Sequence, residues 1–505
     1  MKKIYTTLLL FFALISLLAC DFLPTSTEST TTTFLTSERT TTTTISSSTD
    51  TTTMTTTETT STTNSITSEL TTASSAVPFK LETYNTLQDE LDVIGLPSLG
   101  DVKVLVFAVD FPDYTSLSSP VSINEIDTAF NGSSSELTYE SLQSYYLKSS
   151  YDQLEITADV YGFYRASHNA SYYENEYEKL YATDPYTGDW LYGDDEVTYP
   201  DSDIIFEVME YYDDVIDYSD YDSNGDGYID GIYIIYNHPV SYTSGSDLWW
   251  AYEDVYIYED TLFDNVEPYY FVWSGAEFFV EGDDNLNART VIHETGHLLG
   301  LEDYYDYDDS DNLNSGGLGG ADMMDNAYGD HNAFSKLLLG WIHPWVVTES
   351  MTVDISSFAE SGDVILFTKQ WNGTIFDEYL LLSFYTPTGL NEEDQDWLFT
   401  TSGVIIYHIS ARLGNNPAQD YYVSVFYNNN TETTRKLIKI IEADMDRDID
   451  NYSLAENTDL FQEGDSLGGT VYSTYRWYDN SALNAVISIT DFTSNSVTIQ
   501  FVLGN

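Results

Sequence analysis

One cysteine, Cys20, is all the chain has, so no disulfide can form within it. Outside a reducing compartment its stability has to come from packing and bound ions. A latency device in which a propeptide thiol caps a metal is ruled out too, unless Cys20 itself serves. Basic residues are scarce: 17 Lys and Arg stand against 83 Asp and Glu, for a net charge of −66. Such a surface repels nucleic acid and anionic lipid, so neither is an expected partner. It draws cations and basic peptides, although solubility alone is a sufficient reason for an acidic surface. Apolar residues, by contrast, are plentiful. At 42% of 505 residues they suffice for one large domain or two to three ordinary ones.

The first 19 residues read as a leader. Met1-Lys2-Lys3 is a basic start, and Ile4 to Leu18 is an apolar run broken by Thr6, Thr7 and Ser16. That run is short for a membrane span and fits a secretory signal. It ends in Leu17-Leu18-Ala19-Cys20, which resembles the bacterial lipobox. On that resemblance Cys20 is lipidated and becomes the mature N-terminus. Residues 20–77 are then a disordered stalk. They are almost all Thr and Ser after Cys20, open to O-glycosylation, with too little apolar surface to offset ordering the chain. As a flexible coil the stalk spans on the order of 40 Å. The expected location is the outer face of a cell membrane, reached through the lipid anchor alone.

The chemistry is concentrated in Thr290-Val291-Ile292-His293-Glu294-Thr295-Gly296-His297-Leu298-Leu299-Gly300-Leu301-Glu302-Asp303. Residues four apart share a helix face, so His293 and His297 can grip one metal ion. Glu294, one step around the helix, can reach a water on that ion without being a ligand. Asp284-Asn285-Leu286-Asn287 reads as the helix start and Gly300 as its stop. Asp303, three residues beyond, can return as a third ligand; Glu302, Asp306 and His331 are its rivals. Three protein ligands with a fourth position for water is the open arrangement of a catalytic zinc site. HExxH also occurs by chance on ordinary amphipathic helices. Here two of only seven histidines fall in it, with Gly and Asp added at the further spacing.

Upstream, Lys103 to Phe111 is a continuous apolar run expected to be a buried strand, and Glu155 to Tyr164 another. Leu137 to Leu147 and Ile204 to Val215 read as helices. Asp222-Ser223-Asn224-Gly225-Asp226-Gly227-Tyr228-Ile229-Asp230 has the alternating oxygens and the glycine of the front half of an EF-hand loop. Asp222, Asn224, Asp226, the Tyr228 carbonyl and Asp230 are candidate calcium ligands. Tyr233 stands where the twelfth-position acid belongs, so an Asx-rich turn competes with that reading. Trp249 to Tyr252 and Tyr269 to Phe279 read as strands, one of which can align an extended peptide; the sequence does not say which. Beyond residue 350, short apolar runs alternate with turn signals, the pattern of an all-β module. His408 lies in one of them and reads as a satisfied core histidine.

Three pieces together resemble the immune inhibitor A family of secreted metallopeptidases, a metzincin-type group. They are His293 to Asp303, Asp322-Met323-Met324-Asp325, and Gly329 to Trp341. Leu105 to Asp113, Ser149 to Leu154, Glu378 to Leu382, Gly403 to Ile409 and Ile440 to Asp444 fit as well. The resemblance implies an α+β fold: a metzincin-like catalytic domain, with mixed sheet and active-site helix, over 78–349. A β-rich C-terminal module follows over 350–505. It implies Zn2+ on His293, His297 and Asp303, Glu294 as the catalytic base, and Met324 as the methionine of the turn beneath the zinc, with Met323 as its alternative. Tyr328 is a candidate for the tyrosine that related metzincins place near that turn. The implied activity is zinc-dependent cleavage of protein or peptide substrates. Two other readings stay open: a surface binding or adhesion protein on an inactive metalloprotease scaffold, and a zinc hydrolase of a non-protein substrate.

Overall fold

The computed structural model describes residues 79–504 apart from 92, 184–190, 193–196, 242–246, 259–260, 282–284, 307–316, 393–397, 415–424, 432–433, 452 and 470–474. The leader, Cys20 and the stalk therefore lie outside the described residues, as do Asp284 and most of the acidic loop after Asp306. The fold is mixed α/β, compatible with the α+β expectation. It has three sheets of five, six and four strands, a two-stranded ribbon, and few helices. Among the described residues no helix is long and apolar enough to cross a membrane.

The chain opens with a short strand β1 (Phe79–Lys80) and then β2 (Gly100–Asp110), the centre of the first layer. From Val104 onward every residue of β2 is buried. Val104, Val106 and Ala108 enter one core, Leu105, Phe107 and Val109 the other. A strand covered on both faces needs apolar residues at every position, which is why this run does not alternate. Helices α1 (Ile123–Asn131) and α2 (Leu142–Ser149) pack on one face. The first is started by a capping box between Ser122 and Glu125, an arrangement worth about 1 kcal/mol. Strand β3 (Leu154–Arg165) follows, then α3 (Ala170–Leu180) and α4 (Pro200–Tyr212) on the opposite face. Strands β4 (Ile232–Tyr236), β5 (Tyr252–Val255) and β6 (Tyr270–Gly275) complete the sheet in the order β3-β2-β4-β6-β5. All neighbours are parallel except β5, which runs antiparallel to β6 at the sheet's end.

A ribbon of β7 (Val280–Glu281) and β8 (Asn285–Leu286) leads into α5 (Arg289–Leu298), the helix that carries both motif histidines. Two short helices follow, α6 (Met323–Asn326) and α7 (Ala333–Leu338). The remainder is β9 (Trp345–Val347), β10 (Met351–Ser356), a turn of helix α8 (Phe358–Ser361), β11 (Val364–Phe367), β12 (Glu378–Tyr385), β13 (Gly403–Ser410), β14 (Ile438–Ile440), β15 (Ser466–Gly468), β16 (Ala485–Phe492) and β17 (Ser496–Leu503). They form two sheets, β1-β9-β11-β12-β13-β14 and β10-β17-β16-β15.

All eight residues of β12 and all eight of β13 are buried. Leu380, Leu382, Val404 and Ile406 face the four-stranded sheet, as Ile487 and Ile499 face back. Tyr379, Leu381, Ile405 and Tyr407 face the other way, into the core that also holds α2 and α5. The six-stranded sheet thus belongs to both halves, and β1 and β9, which precede residue 350, are part of it. His408 is a satisfied core histidine: Nε2 lies 3.0 Å from Glu378 Oε1 and Nδ1 2.8 Å from the Tyr475 hydroxyl.

Candidate metal centre

Helix α5 starts at Arg289, later than the Asp284–Asn287 signal. Asn287 still contributes, its Oδ1 accepting the Arg289 amide at 2.9 Å. The helix is buried on nearly every side, and Tyr146 donates to the Ile292 carbonyl at 2.7 Å. Its end is a Schellman turn. The Leu301 amide bonds Gly296 O at 3.0 Å and the Gly300 amide bonds His297 O at 2.8 Å. Gly300 sits at φ +92°, where a Cβ would be strained and would also meet Leu91 at 3.0 Å. That turn folds the chain back along the helix and delivers Asp303.

His293 Nε2 lies 3.1 Å from Asp303 Oδ1, and His297 Nε2 lies 3.3 Å from the same oxygen. The imidazole planes cross at 84°. On their far sides His293 Nδ1 is 2.7 Å from the Met323 carbonyl and His297 Nδ1 is 2.8 Å from the Leu301 carbonyl. A carbonyl oxygen only accepts, so each Nδ1 carries a proton and each Nε2 is directed at Asp303. Two nitrogen lone pairs and a carboxylate oxygen this close repel one another unless positive charge stands among them, as imidazolium protons or as a cation. The ligand atoms lie within 4.8 Å of one another, and the group can hold a metal ion.

The electrostatics agree. Burial alone would lower the pKa of both histidines, but the Asp303 carboxylate outweighs it and pushes His297 up to about 10 and His293 upward as well. Burial would raise Asp303; the two imidazoles, His297 foremost, hold it far below the usual carboxylate range instead. Such a carboxylate stays ionised as a ligand, and a bound dication would displace the imidazole protons. Glu294 is buried but outside the ligand group. Burial raises its pKa, with both histidines opposing and Asp303 adding.

The floor of the centre comes from residues 318–332. Met324 is fully buried, and its sulfur packs so tightly on Gly296 that a Cβ there would stand 2.3 Å from it. Asp322 shapes the turn by accepting the Met324 amide at 2.8 Å and the Asn332 amide at 2.8 Å. Asp325 Oδ2 accepts the Leu318 and Gly320 amides. The Tyr304 amide bonds Met324 O at 2.8 Å, and Asn430 Nδ2 donates to Tyr304 O at 2.7 Å. The loop bearing Asp303 is therefore held from the turn on one side and from the C-terminal half on the other.

A narrow cleft opens over the group, lined by Trp250, Ala251, Phe278, Thr290, Glu294 and Ala327 among others. The first two directly precede the terminal strand β5. Glu253 on β5, half-buried, is pushed up to about 7 by burial, with Glu294 adding and His297 opposing.

Of the rival third ligands, Glu302, Asp306 and His331 do not join the group. His331 is caged by the rings of Tyr145, Tyr146 and Trp341, and burial holds its pKa well below the usual value, so it is neutral. Tyr328 does not line the cleft; its ring covers the Arg289 guanidinium at 4.5 Å. In the 222–230 loop, Asp222 accepts the amides of Gly225, Asp226 and Gly227, and Asn224 Oδ1 accepts that of Asp226. Asp226 Oδ1 accepts the Tyr228 amide, and Asp230 is buried with Oδ2 on the Ser223 amide. These bonds fit an Asx-rich turn and the front half of an EF-hand loop alike; the acids alone do not form a group within 4.8 Å, while Asp230 Oδ1 is buried with no hydrogen-bond partner.

Several contributors left no trace in the sequence. Arg289 is stacked between Tyr139 and Tyr328, Asn430 reaches over from the C-terminal half, and β5 takes the end of the sheet. Each depends on contacts between residues far apart in the chain. Neither a scan against protein-family models nor a search of curated proteins finds a match for this chain.

Proposed function

We propose that the protein is a zinc-dependent endopeptidase of the metzincin type, similar to the immune inhibitor A family, held at the cell surface through Cys20. One observation carries the reading. Two imidazole nitrogens and one carboxylate oxygen converge at the bottom of a cleft, while a fourth buried side chain, the acid Glu294, lines that cleft without joining them. Two nitrogens and one oxygen are a donor set suited to Zn2+ with a position left for water. When bound, zinc supplies Lewis acidity and lowers the pKa of water toward ~7.

The chain's own residues do the rest. Glu294 takes the proton of the attacking water on its carboxylate and passes it to the departing amine. The raised affinity of Glu294 for a proton suits both steps. Met323 and Leu301, through their carbonyls, keep His293 and His297 in the tautomer that leaves Nε2 available. Strand β5, antiparallel at the end of its sheet, is the element against which an extended peptide would pair by main-chain hydrogen bonds. The acidic surface favours basic segments in the substrate.

The test uses the full chain and an unstructured protein such as casein. Wild type should cleave it and lose the activity to a chelator. Glu294→Gln should keep its metal content and lose roughly 10²- to 10⁴-fold in rate. Cleavage undiminished in Glu294→Gln would remove Glu294 from the mechanism, and a wild type without chelator-sensitive cleavage would end the protease reading and favour a binding protein on the same scaffold.

A further inference from the structure

A second group of side chains converges far along the chain. Glu442, Asp446, Asp448 and Asp459 each offer a carboxylate oxygen, and these oxygens lie within 4.8 Å of one another. The first three follow β14 on a loop in which Met445 and Arg447 both adopt positive φ, at 69° and 62°. Asp459 approaches from a turn beyond, tied by the Ala443 amide to the Asp459 carbonyl at 3.0 Å.

The observation that separates this group from an ordinary acidic patch is Asp459. It is 1% exposed, its Oδ2 accepts the Glu456 amide at 2.7 Å, and its Oδ1 is buried with no hydrogen-bond partner. An ionised oxygen placed so is strongly disfavoured unless a cation meets it. Glu442 is also buried, and the Asp448 amide reaches one of its oxygens at 3.0 Å. The nearby cationic side chains are engaged in other contacts. Arg447 pairs with Asp450 at 2.8 Å, and Lys439 lies over the Tyr478 ring. Burial and mutual repulsion push Glu442 up to about 8 and Asp459 up to about 6, as carboxylates crowded together out of water do.

We infer that Glu442, Asp446, Asp448 and Asp459 form a calcium site. All four donors are carboxylate oxygens, which suits a hard divalent cation and not zinc. Magnesium keeps most of its waters and uses one or two carboxylates; four converging on one point match the larger, more highly coordinated ion. The site would brace a loop that matters elsewhere. The Ala455 amide bonds Gly319 O at 2.8 Å, and a Cβ on Gly319 would lie 2.4 Å from the Ala455 nitrogen. Gly319 stands between the two residues whose amides hold Asp325, a wall of the cleft.

The full chain, stripped with a chelator and re-equilibrated with calcium chloride, is assayed for bound calcium by elemental analysis and for its melting temperature. Asp459→Asn should bind about one calcium fewer per chain than wild type. Its melting temperature in chelator should equal or exceed that of wild type, because one like charge has left the group. Added calcium should raise it by less than half the wild-type rise. The paired variant Asp222→Asn/Asp226→Asn should keep the calcium that Asp459→Asn loses, which separates the two loops. Should Asp459→Asn fail to fold, exposed Asp446→Asn replaces it with the same expectation. Wild-type calcium content together with a wild-type calcium response in either variant overturns the proposal.

Discussion

Gly296 on the histidine helix has almost no room for a Cβ, and Gly296→Ala tests whether the floor turn sets the histidines. The new Cβ would lie 2.3 Å from Met324 Sδ, 2.9 Å from Met324 Cε and 3.6 Å from His331 Cε1. Ordinary contact between such atoms is about 3.5–4.0 Å, so the shortfall against the sulfur is about 1.5 Å. Met324 is fully buried, so its side chain cannot simply swing into solvent. The floor and the helix must part instead. Overpacking of this kind costs about 1–3 kcal/mol, and the better helix propensity of alanine offsets up to about 1 kcal/mol of it. The net loss of stability should therefore be small, about 0–2 kcal/mol on the same principles. Metal affinity should suffer more. Met323 O fixes His293 Nδ1 and Met324 O fixes the Tyr304 amide beside Asp303, so moving the turn disturbs two ligands at once. Losing such outer support costs about 10- to 100-fold in affinity. Zinc titration against a competing chelator measures it, with urea unfolding run in parallel. Gly296→Ala/Met324→Ala should regain most of the affinity while losing stability to the cavity. If Gly296→Ala binds zinc as tightly as wild type, or the double variant shows no recovery, the turn does not position the ligands.

Two further outcomes follow from buried charges. Lys336, fully buried, meets Asp330 at 2.6 Å. Asp330→Asn strands the ammonium and should cost about 3–5 kcal/mol in urea unfolding, whereas Asp330→Asn/Lys336→Met should recover most of it; a loss below about 1 kcal/mol would contradict this. Asp201, buried beside Asp254 and bonded by Tyr252, has its pKa pushed by burial up to about 6. A folded pKa above the unfolded value means stability that is present below pH ~4 and lost as pH rises through ~6. Asp201→Asn should therefore melt with wild type at pH ~4 and above it at pH ~7.5. The two-unit difference corresponds to roughly 3 kcal/mol; parallel melting curves across that range would show that Asp201 carries no such cost.

What the sequence made legible was local. His293, His297, Gly300 and Asp303 lie within eleven consecutive residues, so helix spacing and one glycine turn suffice to bring the ligands together. The unbroken run in β2 marked a strand covered on both faces. The alternation or continuity of later runs marked most of the C-terminal strands, although β9, β10 and β15 were too short or too mixed to stand out. What stayed hidden is contact between distant segments. Nothing near Tyr252 says that β5 turns against its neighbours, and nothing near Gly296 says that Met324 fills the space its missing Cβ leaves. Asp459 looks like any surface acid until the fold buries it beside Glu442.

The sheet shared by the two halves has a consequence for when the molecule becomes competent. Asn430 grips the carbonyl next to Asp303, and the Leu390 carbonyl receives the hydroxyl of Tyr139, whose ring covers Arg289 at the head of the histidine helix. A nascent chain emerging from the ribosome carries both imidazoles and their aspartate long before it owns the residues that lock them. The group that can hold a metal ion is thus fully braced only once synthesis has passed Asn430.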